Sequence, residues 1–285
     1  MRKSRNMVYI AFILPGFAGL MLFYCVPFLL SLYYALIDNM TEKNFVGLAN
    51  IISTLNNGLF RQAAGNTLLY IIISVPFSMF FSLLLALGIK NMKFGRGIAS
   101  IALLFPIIIP SGTIVYFWKI LFDTNGVLNK VLFVLGFDIR NPGQTNFAMV
   151  IITLVFLWKN ISYNMVLFWS GLNWIPQIYY EQYQLEGGSS FKQFCNITWV
   201  YLSPTTFVVL LMSIINSFKV FKEIYLLYGT YPTPSIYMLQ HYMNNQFLSL
   251  NMQKLTSAAY LVFFAISIIL IILFYAQKRI TDTYH

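Results

Sequence analysis

The chain has 285 residues, of which 59% are hydrophobic and 9% charged, with a formal net charge of +10. A soluble globular domain usually holds about 25% charged residues, so a water-soluble fold is excluded. The two histidines (His241, His285) and two cysteines (Cys25, Cys195) show no metal-ligand or disulfide-framework spacing, which sets aside a zinc site and a disulfide scaffold.

A helix needs about 20 apolar residues to cross about 30 Å of hydrocarbon. Charged residues bracket six such stretches. The first, residues 8–36, follows the basic opening MRKSRN; residues 6–37 contain no charge. That run is too long for a secretory signal and has no small-residue cleavage site, so it reads as a retained signal anchor. The second span, 67–89, lies between Arg61 and Lys90, and the third, 97–118, between Arg96 and Lys119. The fourth, 147–171, passes through Lys159. The fifth covers 203–225, and the sixth, 255–277, lies between Lys254 and Lys278. Residues 224–253 are also uncharged but carry Pro232, Pro234, Asn244, Asn245 and Asn251. Exposed Pro-rich backbone has unsatisfied polar groups in lipid, so this stretch reads as a loop with an amphipathic helix from Ser235 to Phe247. Pro15, Pro27, Pro76, Pro106 and Pro110 fall inside spans and read as ordinary bundle packing.

Six spans place both termini on one side. With the termini inside, the inner segments hold Arg2, Lys3, Arg5, Lys90, Lys93, Arg96, Lys192, Lys278 and Arg279. The outer segments hold Lys43, Arg61, Lys119, Lys130, Arg140 and Lys254. The positive-inside rule then predicts a cytoplasmic location for both termini. The basic charge is topological and needs no nucleic acid. The fold class is all-α, a six-span membrane protein with a helix-turn-helix in the inner loop at 172–202.

In that loop Ile175, Ile178, Tyr179, Gln182 and Leu185 follow helical spacing, Gly187-Gly188 permit a sharp turn, and Ser189 or Ser190 can cap a second short helix towards Val200. On periodicity alone, an interfacial hairpin that seals the bundle and a dock for a cytoplasmic partner both remain open.

The segment resembles the EAA loop of the membrane subunits of bacterial ABC importers, and the chain as a whole looks like the sugar-type family of maltose and glycerol-phosphate permeases. Glu181 matches the motif Glu, Gly187 its Gly, and Glu186 stands where Asp is usual; Phe194, Ile197 and Pro204 match downstream positions. Gln182 and Tyr183 replace the two alanines, and Val200 replaces a usual proline. Phe45-Val46-Gly47-Leu48-Ala49-Asn50, Asn66-Thr67, Gly95-Arg96-Gly97, Trp118 to Asn129 and Trp174-Ile175-Pro176 also resemble the family; Gly229-Thr230-Tyr231-Pro232 is a partial match to its Gly-Gly-Pro.

The chain has no G-x-x-x-x-G-K-[ST] motif and so no P-loop. The resemblance therefore implies two separate cytoplasmic ATPase subunits using ATP-Mg, a second homologous permease, and an extracellular solute-binding protein. It implies that Glu181, Leu185, Glu186, Gly187, Phe191 and Phe194 couple to an ATPase, with Glu181 meeting a basic partner residue.

Polar residues inside spans mark a candidate solute path: Asn160, Tyr163 and Asn164 on the fourth, Asn216, Lys219 and Glu223 on the fifth. Lys219 and Glu223 are also placed to pair with each other. Lys159 is placed to pair or to reach a watery cavity. Trp158, Tyr163 and Trp169 suit sugar stacking or plain packing. An ion-coupled carrier and a membrane-embedded enzyme are the rival readings. The first lacks intramembrane carboxylates apart from Glu223, and the second lacks a catalytic cluster.

Overall fold

The computed structural model describes residues 12–92, 94–122 and 147–284, with Gly126, Val127, Lys130 and Phe133 between them. Residues 8–11 of the first span, and Arg2, Lys3, Arg5, Lys93, Asn129, Arg140 and His285, lie outside the described residues. Among the described residues five helices are long and apolar enough to cross a membrane, or six if one bent pair counts as a span.

In chain order the helices are α1 (Phe12–Ala35), α2 (Ala49–Asn56), α3 (Gly58–Asn91), α4 (Arg96–Ile108) and α5 (Ser111–Phe122). Then come α6 (Phe147–Asn173), α7 (Gln177–Leu185), α8 (Ser190–Gln193), a π-turn (Phe194–Thr198), α9 (Trp199–Phe218), α10 (Phe221–Tyr228), α11 (Leu239–Leu248) and α12 (Met252–Tyr284).

Three spans differ from their sequence outlines for local reasons. α3 begins at Gly58 rather than 67, because the Asn57 side chain caps it, accepting the Phe60 N–H at 3.1 Å. The third span is broken: α4 and the helix after it bend by 94°. Ile109, just before Pro110, is held extended (φ −74°, ψ 127°), as the ring of a following proline requires. The fifth span has no separate short helix before it. Ser190–Tyr228 runs on through the π-turn and a tightened turn at Lys219-Val220.

The described residues fall into two compact units, 1–61 with 242–266, and 62–241 with 267–285. In the first, Tyr260 on α12 donates its hydroxyl to the Phe28 carbonyl of α1 at 2.5 Å, and its ring lies 5.1 Å from that of Phe28. The 45–50 motif closes the end of α1. Gly47 takes a left-handed conformation (φ 57°), and the Asn50 amide donates to the carbonyls of Ala35 (3.1 Å) and Ile37 (2.7 Å).

The second unit is built around α6, the most buried of the apolar spans. One end of α6 packs Met165, Phe168 and Leu172 against Ala86 and Ile89 of α3 and Leu202 and Val209 of α9. The other packs Ala148, Ile152 and Phe156 against Tyr70, Val220 and Ile224. α6 and α9 cross closely at Gly171, where an added Cβ would lie 2.5 Å from Thr205 Oγ1. Polar ties join three helices in mid-span. Asn164 Nδ2 donates to Ser213 Oγ at 2.8 Å and Ser78 Oγ at 3.4 Å, and Ser82 Oγ donates to the Ile161 carbonyl at 3.1 Å.

The Pro-rich stretch is folded in rather than laid on a surface. Ile236, Tyr237, Met238, Leu239 and His241 are buried, and the helix expected in this stretch is present as α11, with Phe247 and Leu248 left exposed. The backbone of the stretch is satisfied by α3. Gln62 and Asn66 donate to the Pro234 carbonyl at 2.9 and 2.6 Å, Asn66 also donates to the Tyr237 carbonyl at 3.0 Å, and Thr67 Oγ1 accepts the Leu239 N–H at 3.0 Å.

His241 sits in this stretch with no exposed surface, its Nδ1 accepting the Met238 N–H at 3.3 Å and its ring 4.7 Å from Phe221. Burial among apolar neighbours lowers its pKa from 6.5 to about 4. In that window the unfolded stretch binds a proton that the folded stretch refuses. The 234–241 segment therefore keeps its stability above about pH 6.5 and loses it as pH falls towards about 4. Hydrogen exchange across 234–241 will show protection weakening over this window, and His241→Gln will remove the pH dependence.

Candidate functional site

A cavity of about 310 Å³ opens between α4, α6, α9 and α10. Helical periodicity builds it. Val155, Phe156, Lys159, Asn160 and Tyr163 share one face of α6, and Met212, Asn216, Lys219, Val220 and Glu223 follow the facing side of α9 and α10. Five of the six predicted path residues therefore meet here: Asn160, Tyr163, Asn216, Lys219 and Glu223.

Asn164 does not line it. Its side chain is spent on Ser213 and Ser78 between helices. Sequence reasoning placed it with Asn160 because the two are four apart. The turn of α6 beyond Tyr163 is already inside the core, so the same face changes from cavity to packing. Trp158 and Trp169 are packing residues too. Trp158 lies 6.0 Å from Trp118, and Trp169 packs against the cluster around Phe168.

The ionic geometry differs from the i,i+4 pairing. Glu223 pairs across the cavity with Lys159, Nζ to Oε1 3.4 Å, while Lys219 Nζ donates to Asn216 Oδ1 at 3.1 Å on its own helix. Glu223 is nearly buried, its side chain 10% exposed against 35% for Lys159, and its Oε2 has no hydrogen-bond partner. The backbone tightens at this level. Lys219, Val220 and Lys222 donate to carbonyls three residues back (Asn216, Ser217 and Lys219), which separates α9 from α10 and turns Glu223 inward. The lining is mainly apolar, with amide, phenol, ammonium and carboxylate groups of both charges set among Ile107, Val155, Phe156, Met212 and Val220. No group of three or more potential metal ligands occurs among the described residues.

The 172–202 loop is the second element. α7 ends in a left-handed C-cap. Gly187 has φ 78°, its N–H reaches the Gln184 carbonyl at 3.0 Å, and the Gly188 N–H reaches the Tyr183 carbonyl at 3.1 Å. This double bond pattern uses up the orphan carbonyls of the helix end and needs a glycine at the left-handed position. Gly188 is required for a different reason, since a Cβ there would collide with the Tyr183 ring. Ser189 then caps α8, its Oγ accepting the Lys192 N–H at 3.5 Å.

The spacing of apolar residues in the sequence did not fix which side of α7 is buried. Ile175, Tyr180 and Tyr183 pack inward, leaving Ile178, Glu181 and Leu185 on the outer face. Tyrosine rings fill more volume against the core than the aliphatic positions, and their hydroxyls find partners, Thr198 Oγ1 at 3.0 Å and Asn196 Nδ2 at 2.9 Å. Leu185 is 88% and Phe191 77% exposed, with Glu181, Glu186 and Gly187 also exposed between and beside them. Phe194 is half-buried, its ring 6.4 Å from Trp199. Five of the six predicted coupling residues thus form an open apolar and acidic ridge around the turn.

No protein-family model matches the chain. It is 30% identical over 238 residues to the trehalose/maltose transport system permease protein MalF of Thermococcus litoralis, covering 80% of each chain. It is 30% identical over 227 residues to the sulfoquinovosyl glycerol transport system permease protein SmoG of Agrobacterium fabrum, covering 78% of this chain and 73% of that one. The sn-glycerol-3-phosphate permease protein UgpA of the same organism is 26% identical over 251 residues. Among solved structures, a chain of a bacterial ABC transporter that imports the acidic polysaccharide alginate superposes with a TM-score of 0.83 at 21% identity, covering 98% of this chain and 97% of that one.

Replacing Gly187 with Val forces a β-branched residue into a left-handed conformation, at roughly 1–2 kcal/mol in the turn. Hydrogen exchange over 182–192 will rise in this variant, and Gly188→Ala will show a comparable rise by displacing Tyr183.

Proposed function

The chain belongs to the permease subunits of sugar-type ABC importers, and from that premise we propose that the α6–α9–α10 cavity is its share of the solute path and the α7–Gly187 ridge its ATPase dock. It is a multi-pass membrane protein of the inner membrane and not itself an enzyme. ATP is bound and hydrolysed by separate subunits, which act with a paired permease and a solute-binding protein.

The observation that carries the proposal is the continuity of α6. The helix bears Lys159, Asn160 and Tyr163 in the cavity, and its end at Asn173 leads within a few residues into α7. At 1.5 Å per residue, the cavity lies about 20 Å from the dock along one helix. A rigid rod of that length transmits a displacement of the dock as a displacement of the cavity wall. Closure of two ATPase subunits would push on Ile178, Glu181, Leu185 and Phe191, and α6 would carry the shift to the face that holds Lys159. Alternation of access then needs only two positions of packed helices. Amide, phenol and charged groups set in an apolar lining suit a solute with hydroxyl groups and apolar ring faces, offered by the binding protein from the outer side. Both termini and the dock face the cytoplasm in this reading, with 229–251 on the outer side.

Two experiments separate the dock from the path. Leu185→Asp will reduce ATPase co-purification at least about tenfold, because it removes an apolar anchor and adds a desolvation cost. Asn160→Ala and Asn216→Ala will leave co-purification unchanged and raise the solute concentration for half-maximal uptake several-fold. Cys195 is exposed on the dock side of the chain, whereas Cys25 lies within α1. In a Cys25→Ser background a membrane-impermeant maleimide will label Cys195 in permeabilised cells and not in intact ones; labelling of intact cells would reverse the orientation.

A further inference from the structure

The sequence assigns Lys90 to the positive charge of the inner loops. Its position gives it a second task. Lys90 stands in the last turn of α3, half-buried beside the fully buried Ile89. Its ammonium does not cap its own helix. Arg96 does that, donating from Nε to the Ile89 carbonyl at 3.0 Å and from Nη2 to the Lys90 carbonyl. Lys90 Nζ is thereby left to cross to its neighbours. It donates to the Leu172 carbonyl at the end of α6 at 3.1 Å, and it lies 4.6 Å from the centroid of the Tyr180 ring on α7. A cation within about 6 Å of an aromatic face is attracted by the ring quadrupole, more strongly where water is excluded. A cation at a helix C-terminus also meets the negative end of the helix dipole.

Tyr180 is held from its other side as well. Its hydroxyl pairs with Thr198 Oγ1 at 3.0 Å, and its carbonyl accepts from Gln193 Nε2 at 2.9 Å. Both partners lie at the start of the fifth span. Tyr180 is therefore the point where α7 is fastened to α8 and the π-turn by hydrogen bonds, and to α3 and α6 through one ammonium. Remove the ammonium, and α7 keeps its ties to the fifth span while its polar tie to the second is gone.

We propose that Lys90 is a positioning residue for coupling, which makes the second span follow the dock helix by holding the Tyr180 ring and the Leu172 carbonyl together. The inference rests on α7 being the ATPase dock. It adds that force entering at Glu181 and Leu185 reaches α3 through Lys90, in addition to the direct path along α6.

The test uses the complete importer in proteoliposomes, with solute taken up per ATP hydrolysed as the readout. Lys90→Met keeps the aliphatic stem and loses the charge. It will retain ATPase co-purification and lower solute moved per ATP at least about fivefold, given what a partly desolvated cation–π contact and a charged hydrogen bond contribute. Lys90→Arg keeps both contacts within reach and will restore most of the ratio. In a Tyr180→Leu background, Lys90→Met will add little further loss, because the shared contact is already gone. A wild-type ratio in Lys90→Met, or full additivity of the two changes, overturns the proposal. So does loss of the ATPase from Lys90→Met, which would make Lys90 a residue of assembly. Failure of the ATPase to co-purify with the unaltered chain would instead remove the dock itself, so the two failures are distinguishable.

Discussion

Hydrocarbon offers no hydrogen-bond partner, so every backbone N–H and C=O in a membrane chain must be satisfied from within. The rest of this structure follows from that constraint. It makes the spans helical, and it dictates what happens wherever a helix stops. Asn57 caps the start of α3, Asn50 takes the last carbonyls around α1, and Arg96 takes those of α3. The stretch around Pro234 has only a single 3-10 turn, Pro234–Ile236, of its own. It borrows Gln62, Asn66 and Thr67 from α3 instead, and in doing so becomes buried. An uncharged, Pro-containing segment can therefore be core without being a span.

The same constraint locates the cavity. A regular helix presents nothing polar but its side chains, whereas a tightened turn leaves carbonyls that must be met locally. Such a turn at Lys219-Val220 brings Asn216, Lys219 and Glu223 to one level. Opposite it, α6 supplies Lys159 and Asn160. The Lys159–Glu223 pair spans the space between two elements rather than tying down one. Its net worth in the empty protein is small, because desolvation offsets much of the attraction. Removing a single partner is a larger disturbance, since the other charge is then left uncompensated in the wall. A pair of this kind holds two helices in a preferred relation without locking them.

Much of this was legible in the sequence, and what was not has identifiable physical causes. The apolar stretches, the turn at Gly187 and the clustering of five polar residues of the fourth and fifth spans at one cavity follow from hydropathy, glycine chemistry and the cost of polar groups in lipid. Pairwise geometry was not legible. Spacing proposed Lys219 as the partner of Glu223, but the tightened turn sends Lys219 to Asn216 and leaves Glu223 facing another helix. Asn164 was grouped with Asn160 by periodicity, yet periodicity names a face and not what lies against it at each level. The buried side of α7 was not legible from spacing, because tyrosines and aliphatic residues both recur along it. Where hydroxyl partners are available, as at Thr198 and Asn196, a tyrosine buries better than its hydropathy implies. Lys90 was counted as topology because a terminal lysine usually is; only the three-dimensional approach of α6 and α7 gives it a target.

One departure from the EAA pattern, Tyr183, is matched by the glycine at 188. Where the family has small alanines, this chain has Gln182 and Tyr183. A ring at 183 lies over the following turn, and the space it takes is the space a Cβ at 188 would occupy. The second glycine of Gly187-Gly188 is thus the complement of the tyrosine, whereas the first answers only to backbone conformation. The Tyr183 hydroxyl then accepts from Asn196, beyond the turn, so the ring braces α7 against the start of the fifth span. Small residues allow two helices to approach closely; here a tyrosine with a glycine opposite it and a hydrogen bond at its tip fills that space instead. The outer ridge of Ile178, Glu181 and Leu185 is untouched by the exchange, because it lies on the other face of α7. A partner ATPase would meet the familiar side of the motif, while the unfamiliar side is turned towards the chain's own core.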